Sequence, residues 1–200
     1  MRSILTVVSV AAATCWLAGQ AYGTHPSGSC FMCHVPHHAG DPNDPAGYGV
    51  PLWTGDQTGD GLPTFVLYSS KTFDKLGTDI SQPDGASKLC LGCHDGSYSG
   101  IGRDSTKVFL PADLARSHPI SFTYDSALAM KVADSSLRDP ATAQSGFGGT
   151  IAQDLLDVRG KMQCTSCHDV HVSGRTPYVL RWDIAASGGE RTMCCTCHKK

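Results

Sequence analysis

Apolar residues occur in short, isolated runs along this chain, and only the first run is long. Residues 4–17 are almost unbroken in apolar character, behind a single positive charge at Arg2 and ahead of Ala21-Tyr22-Gly23. That is the pattern of an export signal with a small-x-small cleavage site. Residues 1–23 are expected to be removed, leaving 24–200 as one domain. No later run is apolar for long enough to span a bilayer. Cys15 raises a second reading, acylation after cleavage in front of it, but Thr14 fits poorly at the preceding small-residue position.

After the signal, the periodic patterns are brief. Residues 64–70, TFVLYSS, are aromatic and β-branched and follow Pro63, which predicts a strand. A short helix is expected over 86–93, stopping near Gly96. Residues 125–131 and 151–158 each predict a short helix, with Asp125 and Thr150 as N-caps. Pro119 forces an extended backbone at His118. Residues 39–61 and 139–149 read as loop, and 178–182 as a strand or a packing segment. Within the first loop, residues 56–61 (DQTGDG) invite a calcium reading, but the EF-hand spacing is incomplete and an acidic turn accounts for them.

With 22 glycines and 11 prolines, such a chain can hardly bury enough side-chain surface to offset its ordering entropy. The expected fold is mostly irregular loop with short α-helices and very little β. Its core must come largely from elsewhere, and without it the polypeptide is expected to be largely unfolded.

The cysteines and histidines supply a candidate core. Cys-x-x-Cys-His occurs as Cys30, Cys33 and His34; as Cys90, Cys93 and His94; as Cys164, Cys167 and His168; and as Cys194, Cys197 and His198. With 10 cysteines and 9 histidines in the chain, chance placement would give about 0.02 matches, so four of them report a shared chemistry. Two thiols at this spacing can each add to a vinyl group of one porphyrin, and the histidine then lies under the iron as its proximal ligand. Zinc ribbons also use Cys-x-x-Cys pairs, but they require neither a histidine after every second cysteine nor an export signal. Four covalently attached haem c groups are expected. They divide the domain into a haem pair I/II over residues 24–125 and a pair III/IV over residues 126–200.

Four irons have four further axial positions, and His25, His37, His38, His118 and His171 are five candidates for them. His171 is too close to His168 to reach round the same porphyrin, which directs it to haem four. His37 has the same offset from His34 and by analogy serves haem two. His25 and His118 are then left for haems one and three, with His38 spare. Six-coordinate bis-histidine iron has no open position for substrate, which favours electron transfer over catalysis. Trp182 is assigned to packing on a porphyrin face, not to an electron relay.

CFMCHVPHHAG followed by PLW, then SKLCLGCHDG and later SHPISFTYD, resembles the tetrahaem surface cytochrome filaments of metal-reducing bacteria, the OmcE and OmcS type. The resemblance implies one closely packed chain of bis-histidine haems in subunits that polymerise. It also implies a histidine that ligates a haem of the next subunit, with His37 or His38 in that role. The partners so implied are further copies of the chain, redox proteins and extracellular electron acceptors. Cys195, inside the fourth site, departs from the family pattern; a thiol there can compete in haem attachment or be a buried bystander.

Two other functions fit parts of the pattern. A soluble periplasmic tetrahaem shuttle would use the same haems. A multihaem reductase should leave one iron five-coordinate or replace a proximal histidine, and all four motifs are regular. The 16 basic and 18 acidic residues give a formal charge of -2, with no single-sign patch for one partner and no basic stripe for nucleic acid.

Overall fold

The structure is a computed structural model that describes residues 64–74, 79, 82–95, 112–131, 136–171 and 179–199. The elements in order are α1 (Lys71–Asp74), α2 (Gly85–His94), β1 (Phe122–Thr123), α3 (Ser126–Lys131), α4 (Ile151–Asp154), β2 (Lys161–Met162), α5 (Cys164–Cys167) and α6 (Gly189–Cys197). Turns and irregular segments connect them, so the described residues are mostly loop with short helices and one two-stranded sheet. That is the expected class.

The sheet is antiparallel, with Phe122 opposite Met162 and Thr123 opposite Lys161. It anchors the larger of two apolar clusters, built from Phe122, Tyr124, Leu128, Ala129, Ile151, Leu155, Met162 and Trp182. α3 begins as expected, with the Asp125 carboxylate accepting the Leu128 N–H at 2.7 Å. α4 opens with a capping box between Thr150 and Gln153. It ends earlier than the expected 158, because the Asp157 carboxylate takes the N–H groups of Arg159 and Lys161 and turns the chain into β2.

The strand expected at 64–70 is reduced to one parallel bridge, Val66 with Asp113. The Gln82 side chain occupies both backbone groups of Phe65, accepting its N–H at 2.8 Å and donating to its carbonyl at 3.0 Å. A side-chain amide therefore stands where a neighbouring strand would pair. Phe65 itself is buried with Leu91 and Leu114 in the second cluster. Over 179–182, the described part of the segment expected as a strand or a porphyrin-packing run, there is a single bridge, His168 with Leu180, and Val179 adopts a left-handed φ of 51°. Trp182 is buried in the main cluster, edge-on to Phe147 at 5.1 Å.

α2 extends one residue beyond the expected helix at each end and stops at Asp95, whose N–H reaches the Leu91 carbonyl. It starts on Gly85 at φ +51°, where a Cβ would lie 2.9 Å from the Arg159 guanidinium. Only glycine meets both conditions without strain.

Candidate haem sites

The third and fourth motifs have the same local geometry. In α5 and at the end of α6, one helical turn separates the two cysteines, so both thiols share a face. The following histidine leaves the helix in extended conformation, His168 at φ −107° and ψ 136° and His198 at φ −101° and ψ 142°. Each still donates its N–H to the carbonyl of the first cysteine, at 3.0 Å for His168 and 2.9 Å for His198. The second motif differs: α2 runs on through His94. Cys30, Cys33 and His34, with His25, His37 and His38, lie outside the described residues, as do the expected export signal, Cys15 and residues 56–61.

α2 and α5 pack against each other, and Gln163 organises the contact. Its side chain is 1% exposed. The Gln163 amide donates to Asp84 Oδ1 and to Asp157 Oδ2, both at 3.0 Å. Its oxygen accepts the Ser87 N–H and the Ser121 hydroxyl, both at 3.3 Å. Ser87 Oγ in turn accepts the Cys164 N–H at 2.9 Å. Burial alone would raise the Asp84 carboxyl. Hydrogen bonds from Lys161 and Gln163, with the charges of Arg159 and Lys161, outweigh it and hold the group below its ordinary value. Asp84, Ser87, Ser121, Asp157 and Gln163 carry no motif; the position of Gln163 beside Cys164 is the only sequence signal any of them gives.

Before attachment the thiols are not equivalent. The neighbouring Cys90 thiol lowers Cys164 against the effect of burial, with help from Ser87. Burial raises Cys167, and it pushes Cys197 up to about 12, with Cys167 adding to the effect. Cys167, Cys197 and Met193 all pack on the main apolar cluster, which brings the third and fourth sites together. Contacts between α2 and α5 and between β1 and β2 cross the division drawn near residue 125.

His118 was assigned to haem three, but its ring lies 6.5 Å from that of His198 at an interplanar angle of 78°. His118 Nδ1 is 2.9 Å from the Pro119 carbonyl oxygen. His171, assigned to haem four, is turned outward with 73% of its side chain exposed and its Nδ1 3.7 Å from Asp169 Oδ1. Cys195 is half-buried, and its carbonyl accepts from Arg138 Nε at 2.9 Å.

These residues fit a covalently held haem. Cys90, Cys164, Cys167, Cys194 and Cys197 are free of disulfides, the third and fourth pairs each offer two thiols on one face, and an imidazole follows the second. The family described as the doubled CXXCH motif matches residues 157–200, which hold the third and fourth sites. No curated protein matches the chain. The doubled motif over these residues suggests a multihaem c-type cytochrome, and CxxCH cysteines of this kind indicate covalent haem c binding. No helix among the described residues is long and apolar enough to cross a membrane.

Proposed function

We propose that this chain passes electrons along four bis-histidine haems c and is the subunit of an extracellular conductive filament. The observation that carries the electron path is the continuity of the second, third and fourth sites. The second is docked on the third through Gln163, and the third and fourth share one apolar cluster. Haem supplies the one-electron couple at each site. The polypeptide holds each group by two thioethers and two imidazoles and keeps neighbouring sites in contact. With both axial positions filled by histidine there is no position for a substrate, so transfer is favoured over catalysis.

The filament reading rests on the resemblance of CFMCHVPHHAG, SKLCLGCHDG and SHPISFTYD to surface cytochrome filaments, and on the export signal over residues 1–23. Assembly joins copies of the chain through His37 or His38, with redox proteins feeding one end and external acceptors draining the surface. Electron microscopy of the secreted fraction, with the mass of the purified holoprotein, tests this. Filaments of a chain carrying four haems are expected. A stable monomer with every iron six-coordinate makes it a periplasmic shuttle, and a high-spin iron that turns over a small substrate makes it a reductase.

A further inference from the structure

We propose that His118 is the second axial ligand of the iron held at Cys194 and Cys197, opposite His198. This rests on the haem reading above and specifies the ligand set of one site. Imidazole nitrogens bind metals at about 2.0–2.1 Å, so two imidazoles on opposite sides of one metal have ring centres roughly 6 Å apart. The observed 6.5 Å meets that spacing. An edge-on contact between two rings can have the same separation, so the distance alone does not decide.

The hydrogen bond of His118 leaves its second nitrogen able to bind iron. A carbonyl oxygen only accepts, so the 2.9 Å contact with Pro119 O places a proton on Nδ1. In the neutral ring, Nε2 then keeps its lone pair. A ligating histidine is oriented in this way, its second nitrogen donating to a carbonyl or carboxylate.

Both rings are carried on separately pinned backbone. Pro119 holds His118 extended, and three residues on the Ser121 N–H bonds the Met162 carbonyl at 2.6 Å. His198 is bridged to Leu137, Arg138 N–H donates to Cys197 O at 2.8 Å, and Lys199 N–H donates to Ser136 O at 2.8 Å. The Tyr124 hydroxyl, next to β1, donates to Arg138 O at 2.5 Å and joins the two supports. The haem of the fourth site is thus clamped between α6 and the segment that enters β1. His171 is released from that iron, and His25, His37, His38 and His171 remain for the other three.

The test uses the full-length holoprotein and its His118→Gly and His171→Gly variants. His118→Gly should keep its haem count by mass, convert one iron to high spin, and bind carbon monoxide at that iron when reduced. Added imidazole should restore the low-spin spectrum. The structure of loaded wild type should show the fourth-site iron between His118 and His198. If His118→Gly is not recovered, His118→Met should give one methionine-ligated haem. Wholly low-spin His118→Gly, an unaltered His118→Met spectrum, or His171 on the fourth-site iron overturns the assignment while leaving the haem reading intact. A wild type without covalent haem overturns both.

Discussion

Gln163 Nε2 donates to Asp84 Oδ1 at 3.0 Å, which ties the residue before the third site's first cysteine to the N-cap of the second site's helix. Asp84 makes no side-chain cap of its own. The cap on the Ser87 N–H comes instead from Gln163, distant in the chain. Two candidate haem sites are thereby joined through one buried amide, beside the hydrogen bond from the Cys164 N–H to Ser87 Oγ.

Removing that amide should be costly out of proportion to its size. Gln163→Leu keeps most of the volume but strands the Ser87 N–H and removes a donor from two carboxylates. The expected loss is about 3 kcal/mol of holoprotein stability, from buried polar groups left without partners. Gln163→Glu should be worse, since it sets a third carboxylate against Asp84 and Asp157. Guanidinium unfolding followed by circular dichroism measures both; a change within error would show that the α2 to α5 contact is held by something else.

Acid should loosen the same junction. The Asp84 carboxyl is held below its ordinary value in the folded state. Its contribution is therefore complete above its unfolded pKa and is lost as pH falls through the lower folded one. Wild type should hold its advantage over Asp84→Asn down to about pH 4 and lose it progressively below that. Asp79, which accepts from the Thr123 N–H and hydroxyl, is also lowered and adds to the same acid-side loss. Stability measured in parallel for wild type and Asp84→Asn gives the difference directly; a difference independent of pH would remove the carboxylate from the explanation.

Cys167→Ala should remove more than one tether. Cys167 packs on the main cluster beside Cys197, so losing its thioether disturbs the support of two haems at once. Misfolding and degradation are expected, read as lost protease resistance in residues 120–199. A stable product with normal resistance would mean that the cluster around Ile151 and Leu155 is a sufficient core on its own.

The N-terminal histidines bear on assembly. His37→Ala and His38→Ala, made separately, should include one variant that is a folded monomer with one high-spin iron and no filaments. Haem spectra and filament yield from each decide which. If both polymerise with every haem low-spin, neither donates across the junction, and His25 becomes the candidate to test.

The chemistry was legible in the sequence because covalent haem attachment is local. Two cysteines one helical turn apart and an adjacent histidine specify the site within five residues, as Cys164 to His168 and Cys194 to His198 do. The loop-rich fold followed from the glycine and proline content, and the starts of α3 and α4 from Asp125 and Thr150, whose caps act within one turn. Residues 64–70 misled because among the described residues their pairing is limited to the bridge of Val66 with Asp113, and Gln82 took the backbone of Phe65. The partnership of Gln163 with Asp84 and Ser87 and the approach of His118 to His198 were decided by tertiary structure alone. Each depends on segments distant in sequence being brought together by the β1 to β2 pairing and the apolar cluster around it, and no local pattern records which partner a buried amide or an imidazole will meet.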